Sequence, residues 1–143
     1  VQNYRYDYLR VEPKIVWAPS VFFEAEYKAT VSCVGGGIGE DTSLDPLWEV
    51  AQRLTLSLEF HDTEFRLSGE HFYNDLSKNQ HLNIWLADVS LIHKAGKWRF
   101  AASAINLFNK EQYRYTLYSA VQSYTSWIKL RPREFMVSVQ YQW

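Results

Sequence analysis

The chain has 143 residues, 15 Lys+Arg against 16 Asp+Glu and a formal net charge of -1. That allows one domain at most and makes no electrostatic case for nucleic acid or an acidic partner. Aromatic residues make up 17% of the chain, which excludes disorder, and no apolar run approaches the ~18 residues of a transmembrane helix.

Alternation of apolar and polar residues dominates from end to end, the signature of half-buried strands. Tyr4, Tyr6 and Tyr8 oppose Arg5 and Asp7, giving a first strand near 2-11 that ends in a tight turn at Glu12-Pro13. A long run follows near 14-33, with Trp17, Val21, Phe23, Ala25, Tyr27, Ala29 and Val31 against Glu24, Glu26, Lys28, Thr30 and Ser32. Gly35, Gly36, Gly37 and Gly39 then read as the start of a loop over 34-50 that carries Asp45 and Trp48. The third strand, near 51-61, alternates Leu54, Leu56, Leu58 and Phe60 with Thr55, Ser57 and Glu59. The fourth, near 64-74, follows a tight turn at His61-Asp62 and sets Phe65, Leu67, Gly69, His71 and Tyr73 against Arg66, Ser68 and Glu70. The fifth, near 81-94, is less clean, because Ile84 and Leu86 share a face with Asp88. The sixth, near 97-118, follows a tight turn near Lys94 to Lys97 and opens with Trp98 and Phe100 against Arg99. The last, near 124-143, places Phe135, Val137, Val139, Tyr141 and Trp143 on one face. Pro19 and Pro132 fall inside strand-like runs, where bulges or non-hydrogen-bonded sites are expected.

Seven strands without a helix imply an all-β antiparallel up-and-down meander. Its links alternate between tight and long, as in outer-membrane barrels with short periplasmic turns and longer outer loops. Several strands exceed the about 5–6 residues usual in a soluble sheet and meet the about 9–11 that a spanning strand needs. An even number of strands is the rule for closure in bacterial barrels. Seven therefore points to the last part of a larger transmembrane β-barrel, with 1-143 as the C-terminal portion of one barrel domain. A first residue of Val and a lone Met136 lead to the expectation of a processed or excised piece. Two alternatives stand beside it: a small complete eight-stranded barrel with a structural or adhesion role, and a soluble lipocalin-like ligand-binding barrel.

Trp98-Arg99-Phe100 through Asn106-Leu107-Phe108-Asn109-Lys110 to Tyr113 resembles the next-to-last strand of TonB-dependent outer-membrane receptors. Leu130-Arg131-Pro132-Arg133-Glu134-Phe135 through Gln140-Tyr141-Gln142-Trp143 resembles the final strand of the nutrient-importing receptors of Bacteroidetes, with Trp143 where Phe is more usual. The resemblance covers about 80–143 and is generic before that. It implies an outer-membrane importer of a glycan, peptide or metal chelate. The family's plug domain, its TonB-contacting segment and most of its about 22 strands are not in this chain. The implied partners are outer-membrane lipid, the barrel's own plug and the TonB complex, the barrel-assembly machinery and a surface lipoprotein, with no nucleic acid.

Three groups are candidate sites. Phe135, Val137, Val139, Tyr141 and Trp143 carry the expected barrel-assembly signal, beside a plain lipid-packing role. Glu24, Glu26, Lys28, Arg66, Glu70 and Asp88, with Arg5 and Asp7, are expected to face the lumen, where polar residues are the default. Tyr113, Tyr115, Tyr118, Tyr124 and Trp127 flank the last outer loop and are candidate ligand contacts, with an interfacial girdle as the alternative. His61, His71, His81 and His93 lie in separate strands, and no nucleophile, base and orienting group can be assembled. The expectation is no catalytic residue, no metal site and no cofactor, with Cys33 packed as a small hydrophobe at a strand end.

Overall fold

The computed structural model describes residues 4–38, 42–77, 80–118 and 123–143. Every element is a strand: β1 (Tyr4–Val11), β2 (Lys14–Ser20), β3 (Phe23–Ile38), β4 (Thr42–Phe60), β5 (Thr63–Ser77), β6 (Gln80–Ala95), β7 (Trp98–Ile105), β8 (Gln112–Tyr118), β9 (Ser123–Lys129) and β10 (Glu134–Tyr141). They form one antiparallel meander in the order β1/β2, β3, β4, β5, β6, β7, β10, with β8 and β9 as a separate pair.

The first expected turn is absent. β1 and β2 both pair with β3; Val11 faces Val31 and Lys14 faces Lys28, so the register runs through Glu12 and Pro13 unbroken. Pro13 has no N–H to give, but its carbonyl still accepts the Ala29 N–H at 3.0 Å. The chain instead reverses at Val21-Phe22, inside the run expected as one strand near 14-33. The Ser20 hydroxyl accepts the Phe22 N–H there at 3.3 Å, and Pro19 lies in a register shift between Trp17 and Ser20.

The expected loop over 34-50 is also mostly strand. β3 runs on to Ile38 and β4 starts at Thr42, so Asp45 and Trp48 sit in a ladder. Gly36 faces Tyr6 in that ladder, and a Cβ on it would collide with the Arg5 carbonyl oxygen. The glycine signals close backbone approach rather than a loop. Cys33 accordingly lies within β3, between Leu9 and Trp48, and not at a strand end.

The other two-residue reversals lie where expected. His61-Asp62 joins β4 to β5 with His61 at φ 52°, and Gly96-Lys97 joins β6 to β7 with Gly96 at φ 60°. Gly is the residue that reaches this left-handed first position without strain.

The stretches 97-118 and 124-143 are each interrupted. Residues 106–111 lie opposite residues 130–133, so β8 and β9 are offset from the ladder of β7 and β10. Asn106 and Asn109, both at φ 52°, make this break. The Asn106 side-chain amide donates to the carbonyls of Lys110 and Arg131, each at 2.7 Å, and its Oδ1 accepts the Lys110 N–H at 2.9 Å. Its own N–H donates to Asp88 Oδ1 at 2.8 Å, and Arg133 N–H donates to Asn109 Oδ1 at 2.9 Å. Beyond the break β8 leaves the line of the sheet and lies against β5 and β6, where Asn74 Nδ2 donates to the Thr116 carbonyl at 3.4 Å.

Among the described residues no ladder joins β10 to β1 or β2, so the sheet is open. Its surface is 10736 Å² for a mass of 16.9 kDa. A compact monomer of that mass would expose about 7,700 Å². Among the described residues the buried apolar ones are Ala29, Ile84 and Ala104, all small or medium in size.

Candidate functional site: an uncharged belt and a polar cleft

The register sorts the side chains onto two faces. Paired residues in antiparallel strands point the same way, and successive ones alternate. One face carries Ile15 and Trp17 (β2), Phe23, Ala25 and Tyr27 (β3), and Leu54, Leu56, Leu58 and Phe60 (β4). It continues with Phe65 and Leu67 (β5), Trp85, Ala87, Val89 and Leu91 (β6), Phe100, Ala102 and Ala104 (β7), and Phe135, Val137, Val139 and Tyr141 (β10). Many of these side chains are exposed, Val137 to 80% and Phe135 to 72%.

The belt has two edges. At the two-residue turns, aromatic rings pack edge-on: Trp17 on Phe23 at 5.5 Å, Phe22 on Phe60 at 6.2 Å and Tyr141 on Trp143 at 5.5 Å. Trp98 lies 4.9 Å from Tyr141, and Gln142 N–H donates to the Lys97 carbonyl at 2.8 Å, which holds the chain end beside that turn. At the opposite edge a row of polar groups crosses four strands. Tyr27 donates to Gln52 Oε1 at 2.7 Å, Gln52 Nε2 meets His71 Nδ1 at 3.0 Å, and His71 Nε2 meets Asn83 Oδ1 at 3.0 Å. With Gln52 donating, Nδ1 is the acceptor and His71 is the neutral Nε2–H tautomer. Its ring stacks on Trp85 at 4.2 Å.

Between these edges the described residues of this face include no Asp, Glu, Lys or Arg. On β4 the belt runs from Gln52 to Phe60. Eight steps of about 3.3 Å span roughly 26 Å along the strand, or about 20 Å once tilted by ~40°. The apolar band of a membrane barrel is about 25 Å tall.

The charges sit on the other face. Glu24, Glu26, Lys28, Arg66, Glu70 and Asp88 share it, because Glu24 pairs through Ser57 to Arg66, Glu26 through Thr55 and Ser68 to Asp88, and Lys28 through Arg53 to Glu70. Glu26 bridges Lys14 at 2.9 Å and Lys28 at 2.5 Å, and Arg53 pairs with Glu70. Asp88 instead anchors the chain break through Asn106. Arg5 and Asp7 depart from expectation: the β1 register puts Tyr6, Tyr8 and Arg10 on the charged face with Ser32, and Arg5 and Asp7 on the other.

A cleft of about 320 Å³ opens on the charged face, lined among others by Tyr6, Tyr8, Arg10, Glu49, Asn74 and Thr116. Ser32 donates to Glu49 Oε2 at 3.3 Å inside it. Asn74 is 4% exposed and its Oδ1 has no hydrogen-bond donor. Two phenol rings, a guanidinium and a carboxylate share the wall of this cleft.

The five aromatics expected beside the last loop do not form one surface. Tyr124 and Trp127 are both exposed but an odd number of residues apart on β9, so they face opposite ways. Trp127 lies under the Arg114 guanidinium at 4.8 Å. The backbones of Tyr113, Tyr115 and Tyr118 pair with β9, and their side chains lie outside the described residues. Trp48, on the belt side of β4, donates its backbone N–H to Asp75 Oδ2 at 3.0 Å. Among the described residues no three His, Cys, Asp or Glu side chains gather as a metal site.

The polar row of Tyr27, Gln52, His71 and Asn83 was not legible as a unit from sequence. Its signal was three polar residues out of phase on apolar faces, at positions that only the register aligns. No helix among the described residues is long and apolar enough to cross a membrane, which says nothing of strands. No family model, curated protein or solved structure matches the chain.

Proposed function

We propose that this chain is the C-terminal wall of an outer-membrane barrel of the TonB-dependent, nutrient-importing type. The observation that carries the barrel part is the uncharged belt, bounded by an aromatic row at the turns and a polar row near Trp85, about 20 Å tall against the about 25 Å apolar band of a membrane barrel. A sheet with one face of exposed Leu, Val and Phe and one charged face needs two environments, and lipid outside with a wet interior supplies both. The open edges at β1/β2 and β10 favour a larger barrel over a small complete one. The receptor type rests on the Asn106–Lys110 and Leu130–Phe135 resemblance. Two of its asparagines build the break that turns β8 and β9 across the charged face.

In this reading the chain contributes no catalytic group. Lipid surrounds the belt, and the charged face meets the barrel's plug, on which the TonB complex acts. The cleft of Tyr6, Tyr8 and Asn74 opens toward the imported solute. The β10 edge with Val137, Val139, Tyr141 and Trp143 is what the assembly machinery pairs with. Sequencing the parent reading frame tests the receptor type. A plug domain and about fifteen further strands upstream of Val1 are expected; a signal peptide directly before Val1 contradicts it.

A further inference from the structure

We infer that the belt carries a seat for one membrane phospholipid, with its acyl chain in a groove at Gly69 and its ester carbonyl at the polar row. This rests on the belt facing lipid. Gly69 lies between Leu54 and Ala87 in the ladders, and a Cβ built on it would touch nothing within 4 Å. Backbone packing therefore does not explain the glycine; what it leaves is a groove of about 180 Å³. Leu54, Leu56, Leu67, Trp85, Ala87 and Phe108 line it, without a charged side chain. The volume takes about six methylenes.

The groove differs from the rest of the belt at its upper end. Leu54 and Trp85 each lie two residues along their strands from a member of the polar row, Gln52 and Asn83, and Gly69 lies two from His71. Trp85 belongs to both parts, stacking on His71 while lining the groove. The row has donors left over. Asn83 uses Oδ1 to accept from His71, which leaves its Nδ2 hydrogens on an exposed side chain, and Gln52 Nε2 spends one hydrogen on His71. Amide donors at the head of an apolar groove match an acyl ester, whose carbonyl accepts and whose tail is apolar. A free fatty acid would bring a carboxylate to a row that holds no cation, which disfavours it.

The parent protein that contains this chain, reconstituted in phosphatidylcholine vesicles and gently extracted, is examined by native mass spectrometry. One retained phospholipid per chain is expected for the wild type. Gly69→Leu fills the groove and is expected to lose it, while Gly35→Leu, at another glycine whose Cβ meets nothing, retains it. Ala87→Phe fills the same groove from β6, so the test survives if Gly69→Leu misfolds. Equal retention by wild type and groove-filling variants, or none by wild type, overturns the seat. If the chain partitions into vesicles but retention ignores Gly69, the seat alone fails. If the chain does not partition at all, the lipid-facing belt fails with it.

Discussion

Asn106 is the side chain on which the last hairpin depends. It holds a left-handed backbone, is 5% exposed and ties together Lys110, Arg131 and Asp88. Replacing it by Ala removes its two side-chain donor bonds and one acceptor bond, and leaves a β-carbon at φ 52°. Lost bonds at about 1 kcal/mol each and added backbone strain predict a loss of ~3–4 kcal/mol in urea unfolding in detergent. Asn109→Gly should cost less than Asn109→Ala, because glycine keeps the conformation and only the Arg133 bond is lost. Midway along the belt on β4, Leu56→Arg puts a cation on the apolar face and is expected to cost ~2–4 kcal/mol in a bilayer. Its neighbour Thr55→Arg, on the charged face, should cost under 1 kcal/mol by the same vesicle unfolding assay.

At the scale of elements, alternation made the cores of the long strands and two of the three two-residue turns readable, but not the strand ends over 34-50. Leu54 to Phe60 and Phe135 to Tyr141 read as they fold, because period 2 is a property of each strand alone. What was not readable depended on neighbours. Glu12-Pro13 looks like a turn, yet on an edge strand Pro13 needs only its carbonyl, which Ala29 satisfies. The real turn, Val21-Phe22, has no Gly, Asn or Asp to mark it. The glycines after Val34 look like a loop until Arg5 is placed against Gly36. This register has a direct test in the single cysteine. Leu9 faces Cys33 across β1 and β3, so Leu9→Cys is expected to crosslink with Cys33 under mild oxidation. A turn at Glu12-Pro13 would instead set Leu9 opposite Val16 and leave the two thiols apart.

For the whole molecule, 10736 Å² of surface against about 7,700 Å² expected leaves roughly 3,000 Å² that a compact globule would have covered. Among the described residues the sheet is open, with two unpaired edges. The charged face suits water and the belt suits hydrocarbon, so a bilayer removes the conflict that water alone leaves. Insertion of the sheet therefore depends on which face meets lipid. Nitroxide labels placed singly at Leu54, Phe65, Val89, Phe100 and Val139, and at Glu59, Ser68 and Gln140, test it by accessibility to oxygen and to a water-soluble relaxer in vesicles. High oxygen access at the first five and high access to the water-soluble agent at the last three is the predicted result; the reverse pattern, or water access at all eight, would contradict it.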